Sequence, residues 1–317
     1  MSYQHIFGPV PSRRLGISLG VDLVTHKICS MDCVYCECGK TTDLTLQRRA
    51  YVTFEAVKKE LDHYWEHNDD PDYISFSGSG EPTLNKELGR VIAYIKDRKP
   101  NIQVAVLTNS SLLHDPDVRQ ELAMADLVVP SLDAVSRQAF IKINRPCPNL
   151  SIKEIVKGIQ LFAREFKGKI WLEIFILPGV NDNRQEILRL REAILSIHPE
   201  WVQLNTLDRP GTVPDIGPAS RETLEQVKKM LDLENVQIVA RVPDKKQIGQ
   251  RKDIESAILE TIHRRPSTRD DLVAILNADP GQMDTLLAGL EARGRIEARH
   301  QARGVFYQTI KSDHQKK

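Results

Sequence analysis

The chain has 317 residues, 41% of them hydrophobic and 27% charged, with Lys+Arg 44 against Asp+Glu 43 for a net charge of +1. That composition excludes a disordered chain and supplies enough apolar side chains for one large domain and a small one. Near-neutral charge excludes a global basic footprint for nucleic acid, so any such surface must be local.

Residues 1–16 read as irregular, punctuated by Gly8, Pro9, Pro11 and Gly16. This stretch has no apolar core of signal-peptide length, and no run in the chain approaches the length of a membrane span. Cysteines grouped at ligand spacing without an export signal suit a reducing cytoplasm rather than disulfides. Arg13 and Arg14, just before the first strand, read either as a solvated pair or as a clamp for a substrate carboxylate or phosphate.

From residue 17 to about 240, β-rich runs alternate with amphipathic stretches. The expected strands are Ile17–Val24, Tyr73–Ser77, Ile102–Thr108, Leu127–Leu132, Ile170–Leu177, Trp201–Thr206 and Val236–Ala240. Helices are expected over 53–66, 86–98, 116–124, 151–166, 183–197 and 219–231. Thr53, with Glu55 in the first turn, and Ser220, before Arg221-Glu222-Thr223, supply helix-start signals. Such alternation predicts parallel βαβ units, as a barrel or a doubly wound sheet, with ligands at the carboxyl ends of the strands.

Polar and glycine residues collect where those strands stop. The second is followed by Ser77-Gly78-Ser79-Gly80-Glu81-Pro82-Thr83, and the third by Thr108-Asn109-Ser110-Ser111. The fourth ends in Ser131-Leu132-Asp133, the fifth in Pro178-Gly179-Val180-Asn181-Asp182, and the sixth carries Gln203 and Asn205. Glycines let backbone approach a ligand, and Glu81 offers a carboxylate to a cation. Ser131 and Asp133 read either as ribose or carboxylate contacts or as helix caps. Six such turns in succession predict one shared pocket.

The first strand is followed by Cys29-Ser30-Met31-Asp32-Cys33-Val34-Tyr35-Cys36, three thiols spaced C-x3-C-x2-C. Thiolates select zinc, copper(I) or iron–sulfur clusters. A closed structural zinc or an electron-transfer cluster normally takes four protein ligands, so three leave one metal position open. Cys38 as a fourth ligand would instead close a zinc or ferredoxin-type site. Unligated thiols are the other plain alternative.

The combination Cys29-x3-Cys33-x-Tyr35-Cys36, Ser79-Gly80-Glu81 and the β/α order resembles the radical S-adenosylmethionine (SAM) superfamily. The resemblance implies a partial parallel (β/α)6 barrel, with Cys29, Cys33 and Cys36 holding a [4Fe–4S] cluster whose fourth iron chelates SAM. It also implies Tyr35 beside the adenine, Glu81 at the methionine ammonium, Ser131 and Asp133 at the carboxylate or ribose, and Asn181 and Asn205 around the adenosine. Ser79, Gly80 and Asn109 fall in the same cofactor-binding set, and the usual Gly-Gly-Glu reads Ser79-Gly80-Glu81 here. A flavodoxin- or ferredoxin-type electron donor is the partner such a cluster implies. A closer likeness to the wyosine-synthase-like group rests on Pro9-Val10-Pro11-Ser12-Arg13-Arg14-Leu15-Gly16, Gly78 to Leu84, Leu132-Asp133 and Ile143-Asn144-Arg145-Pro146. True wyosine synthases carry further cysteines upstream, and this chain has none before Cys29. Candidate substrate contacts are Arg13, Arg14, Lys142, Asn144 and Arg145. Lys142 also suits a Schiff base, and Cys147, between prolines, a redox thiol; an exposed lysine and a passive cysteine are the plainer readings.

From about 251 the pattern becomes compact: helices over Asp253–His263, Thr268–Ala278 and Gly281–Arg293, then a hairpin of Arg295–Arg299 and Val305–Ile310 around Ala302-Arg303-Gly304. This resembles a winged helix-turn-helix. Over 251–317 twelve basic side chains face ten acidic, which gives no phosphate footprint. Nucleic acid, a peptide and a dimer contact all stay open for it. The expected division is 1–250 for the barrel with its N-terminal extension, 251–311 for the winged helix and 312–317 for a flexible tail.

The leading expectation is a cytoplasmic radical SAM enzyme that abstracts hydrogen from a tRNA- or nucleotide-related or peptide substrate. The alternatives are an iron–sulfur redox-sensing regulator and a zinc-stabilised binding protein.

Overall fold

The computed structural model describes residues 3–12, 14–25, 27–209, 211–213, 216–239, 254–264, 266–276, 278–301 and 304–310. Arg13, Ala240, the expected boundary at 250/251, Asp253, Ala302, Arg303 and the tail from 311 lie outside them.

The described residues build an eight-stranded sheet in the order β1-β2-β5-β6-β7-β8-β9-β10. These strands are β1 (Ile6–Ser12), β2 (Gly16–Val21), β5 (Tyr73–Phe76), β6 (Gln103–Thr108), β7 (Leu127–Pro130), β8 (Lys169–Phe175), β9 (Trp201–Asn205) and β10 (Val236–Ile238). From β2 to β10 every pairing is parallel, while β1 runs antiparallel to β2. A short pair, β3 (Ile28–Cys29) and β4 (Asp43–Leu44), brackets the cysteine loop. Between the strands run α1 (Phe54–His67), α2 (Leu88–Arg98), α3 (Pro116–Leu122), α4 (Arg137–Asn144), α5 (Ile152–Glu165), α6 (Arg184–Ile197) and α7 (Arg221–Leu231). The expected helix starts form as read: Thr53 Oγ1 accepts from Ala56 N at 3.4 Å and Ser220 Oγ from Thr223 N at 3.1 Å.

Period-2 alternation decides which face each strand residue serves. On β8, Ile170, Leu172 and Ile174 join the main core with Ile155, Ile159, Leu190 and Ile194 of the helices. Trp171 instead packs on the other face with Leu15, Ala105, Leu127 and Val129. An α/β fold with a parallel central sheet, as in a partial barrel, is therefore what the chain forms.

Two elements differ from expectation. Residues 6–12 are a strand rather than irregular: β1 is an edge of the sheet, where prolines are tolerated, and its register shifts between Phe7 and Val10. Arg137–Asn144 is a helix, capped by Ser136 Oγ on Ala139 N at 3.3 Å.

Beyond 254 lie α8 (Ile254–Arg264), β11 (Ser267–Thr268), α9 (Arg269–Leu276), α10 (Pro280–Ala292), β12 (Ile296–Gln301) and β13 (Gly304–Thr309), with sheet order β11-β13-β12. Thr268 and Asp271 exchange side-chain and backbone bonds at 3.2 Å, a capping box at the start of α9. The core of this unit includes Ile258, Ile262, Leu272, Met283, Leu287 and Phe306, and Val10 of β1 packs against it. No helix among the described residues is long and apolar enough to cross a membrane.

Candidate metal centre and cofactor pocket

Cys29 ends β3, Cys33 and Cys36 sit on the loop between β3 and β4, and each sulfur receives a nitrogen donor. Lys27 Nζ lies 2.8 Å from Cys36 Sγ, Asn109 Nδ2 3.5 Å from Cys29 Sγ, and Asn144 Nδ2 3.4 Å from Cys33 Sγ. Lys27 is 2% exposed, and among the described residues no carboxylate forms an ion pair with it. A buried cation without a carboxylate is costly unless anionic sulfur stands beside it. Burial, then the charge of Glu81, pushes the Cys29 thiol up to about 12. Cys36 is held below the usual thiol range, first by a hydrogen bond from Cys38 and then by Lys27, against the cost of burial.

Among the described residues no three Cys, His, Asp or Glu side chains converge on one ion position. A zinc ion takes its ligands at one position, whereas a cubic cluster takes each thiolate on a different iron. Three thiolates, each met by a donor and accompanied by a buried cation, fit a [4Fe–4S] cluster with one open iron. Cys38 Sγ lies beside Cys36 and also 3.1 Å from the Gly78 carbonyl oxygen, and Cys147 Sγ lies 3.8 Å from the Leu44 carbonyl.

The Ser79-Gly80-Glu81 turn packs directly on the cysteine strand. A Cβ at Gly80 would lie 1.7 Å from the Ile28 carbonyl oxygen, so only glycine permits this approach. Ser79 donates from N and Oγ to Asp22 Oδ2 at 2.8 and 2.6 Å. Glu81, expected to face an ammonium, has its carboxylate engaged within the protein. Oε1 accepts from Thr83 N, Thr83 Oγ1 and Thr108 Oγ1 at 3.1, 2.6 and 2.6 Å, and Oε2 from Asn109 N at 2.7 Å. Burial raises its pKa while these four donors pull it back. Glu81 thus aims Asn109, whose Nδ2 also reaches Ser30 Oγ at 2.8 Å.

Asp133 is a second buried junction. Its Oδ1 accepts from Phe175 N at 2.9 Å and its Oδ2 from Tyr35 OH at 2.6 Å and Asn144 Nδ2 at 2.7 Å. Burial pushes its pKa up to about 6 despite these donors. Tyr35 stacks on Phe175 with centroids 3.8 Å apart and planes at 8°. Asn181 clamps the same corner, donating to the carbonyls of Asp133 and Phe175 at 2.7 Å. Ser131 N bonds the Thr108 carbonyl at 2.9 Å, and its own carbonyl accepts from Ser110 Oγ at 2.9 Å. Asn205 Nδ2 reaches Glu173 Oε2 at 3.4 Å.

The substrate candidates divide. Asn144 is buried between Asp133 and Cys33 and so brackets the cysteine loop rather than standing at the surface. Arg14 is ion-paired with Glu173, side chains 12% and 17% exposed, so its charge is neutralised and it is not an open anion clamp. Lys142 is exposed on the last turn of α4, as the plainer reading had it, and Arg145 is exposed with its Nη1 3.9 Å from Asp32 Oδ2. Beside the Arg14–Glu173 pair, Gln203 is the ladder partner of Glu173, and Trp171 precedes it on the same face. Arg14 Nη1, Trp171 Nε1 and Gln203 Oε1 are buried without hydrogen-bond partners among the described residues. Sequence reasoning missed Lys27, Asp22, Glu173 and Phe175. Only the charge of Lys27 and Asp22 in an otherwise apolar stretch hinted at them.

The chain belongs to the radical SAM superfamily: the family model so described matches residues 23–191, just over half of its length. It is an enzyme of that superfamily, whose members bind a [4Fe–4S] cluster and SAM. Among its relatives, it is 35% identical over 295 residues to a GTPase Obg of Brachyspira hyodysenteriae, covering 92% of this chain and 43% of that one. The chain therefore spans less than half of that relative. It is 32% identical over 289 residues to a UPF0026 protein of Helicobacter pylori, covering 89% and 91%. A probable dual-specificity RNA methyltransferase RlmN of Thermotoga sp. is 26% identical over 215 residues, covering 65% and 59%. In fold the chain resembles a radical SAM methyltransferase from Sphaerobacter thermophilus, with a TM-score of 0.54 at 19% identity over 70% of this chain and 65% of that one.

Proposed function

We propose that the protein cleaves SAM reductively and removes a hydrogen atom from an RNA substrate. The observation that carries the first part is the thiol triad with its three nitrogen donors and the buried Lys27 beside it. When bound, the cluster and SAM supply a 5′-deoxyadenosyl radical through one-electron cleavage of the sulfonium bond to the ribose carbon. The protein's own residues do the positioning. Cys29, Cys33 and Cys36 hold the metal centre, and Asn109 and Asn144 fix two of those sulfurs. Asp133 holds the Tyr35 ring flat on Phe175, which gives an adenine a rigid aromatic wall.

RNA as the substrate class is supported by the likeness to an RNA methyltransferase and by the Pro9–Gly16 and Ile143–Pro146 motifs of the wyosine-synthase-like group. We read residues 1–250 as the catalytic unit and 251–311 as a winged helix-turn-helix that presents the substrate, on the strength of its helix–strand order. A flavodoxin or ferredoxin in the cytoplasm would supply the electron.

Anaerobically reconstituted chain, given dithionite and SAM, is expected to release 5′-deoxyadenosine, and bulk tRNA to accelerate that release. Cys33→Ala should abolish it and Cys38→Ala largely spare it. The reverse pattern would point to a four-thiolate site, and a rate indifferent to RNA would sink the substrate assignment alone.

A further inference from the structure

We infer that Lys27 is a positioning residue for the metal centre, one whose fixed positive charge raises the reduction potential of the cluster held by Cys36. The inference rests on the SAM-cleaving reading and adds to it a control over when the electron is accepted.

Three features carry it. Lys27 Nζ donates to Cys36 Sγ and to the Gly39 carbonyl, both at 2.8 Å, so the ammonium is shared between a ligand sulfur and the backbone that closes the cysteine loop. Its backbone is pinned as well: Lys27 N donates to Thr42 Oγ1 at 3.0 Å, and its carbonyl accepts from Thr42 N at 3.0 Å and Asp43 N at 3.2 Å. The charge therefore cannot swing away. Finally, its hydrogen bonds go to a sulfur and a backbone carbonyl, and among the described residues no carboxylate forms an ion pair with it. A surface lysine would be screened by water and a paired one cancelled by its partner. Lys27 is neither.

Taking up one electron from an external donor makes the metal centre one unit more negative. A buried cation hydrogen-bonded to a ligand sulfur stabilises that reduced state more than the oxidised one, and sulfur hydrogen bonds and local charge are among the levers that set such potentials. Removing the charge should lower the potential and make SAM cleavage harder to initiate. A purely structural lysine, stitching Gly39 to the loop, would leave the potential where it was.

The test compares full-length wild type, Lys27→Met, Lys27→Gln and Lys27→Arg, each reconstituted anaerobically and titrated against redox mediators while the reduced cluster is followed by electron paramagnetic resonance. Lys27→Met is expected to hold at least tenfold less reduced cluster at a fixed potential, a fall of about 59 mV for one electron. Lys27→Gln, which keeps a donor but no charge, should fall nearly as far, and Lys27→Arg should stay close to wild type. An unchanged midpoint in Lys27→Met at full iron content overturns the inference while leaving the SAM-cleaving reading intact. Wild type without a four-iron signal would overturn both. If both neutral variants fail to load iron while retaining native circular dichroism, redox tuning is overturned in favour of a role in assembly.

Discussion

Glu81 offers the sharpest separation between a ligand contact and a protein bracket. Its carboxylate is 2% exposed and accepts four hydrogen bonds, three on Oε1 and one, from Asn109 N, on Oε2. In Glu81→Gln one end of the group becomes a donor. The cheapest orientation turns that end toward Asn109, because Oε1 meets three donors, one of them the fixed backbone N–H of Thr83, and Oε2 meets only one. A buried N–H facing another donor costs about 1–3 kcal/mol, and weakening the charge-assisted bonds at the other oxygen adds to it, so about 3 kcal/mol in all. Asn109 would shift and carry its Nδ2 away from Ser30 and Cys29. Urea unfolding of the metal-free, reduced chain measures this with no cofactor present, and the midpoint should drop at unchanged slope. The reasoning is refuted if Glu81→Gln unfolds like wild type but loses SAM affinity, which would assign the carboxylate to the ligand.

Two further predictions concern Glu186 and Arg209. Glu186, 2% exposed, accepts from Val135 N at 2.6 Å and Ser136 N at 2.8 Å, and these bonds with Ser136 Oγ hold its pKa below the usual value although burial opposes them. A depressed carboxylate stabilises the fold above its unfolded pKa of about 4.3 and loses that contribution as pH falls through the folded value. Glu186→Gln should therefore cost about 2 kcal/mol at neutral pH, with the gap closing in acid, and a pH-independent gap in urea titrations would contradict this. Arg209 bridges Glu37 of the cysteine loop at 3.5 Å and Asp271 of α9 at 3.4 Å. Arg209→Met should speed amide hydrogen exchange in both 34–39 and 269–276, and unchanged protection in either segment would break the link.

The parallel strands were legible because each is a short β-branched run that ends in a polar turn. The edge strand β1 was not, because Gly8, Pro9 and Pro11 read as breakers and only an unpaired edge tolerates them. The same division runs through the site. Cys29, Cys33 and Cys36 declare their chemistry by spacing alone. Glu81, Asp133 and Asn181 were legible as a shared pocket and Asn144 as a substrate contact near its rim, yet their observed bonds are to groups that the sequence does not bring together. Asp133 meets Tyr35 98 residues away and Phe175 42 residues away, and Asn144 meets Cys33 111 residues away. A motif names the residue type a site needs. Whether that residue faces the ligand or holds the residue that does depends on long-range pairing, which no local pattern encodes.

Arg14 shows how much that distinction matters. As an open clamp it would attract an anion, but with Glu173 beside it the pair is neutral and mostly buried. Removing one member of a buried pair leaves an uncompensated charge and costs about 3–5 kcal/mol, whereas replacing both with apolar groups of similar volume is often near neutral. Glu173→Met and Arg14→Met should each destabilise by about 3 kcal/mol, and the double variant should recover most of the loss. The resulting coupling energy, from denaturation of all four chains, isolates the pair. Additive losses would mean that the two groups act separately, and would return Arg14 to the role of a free cation at the mouth of β2.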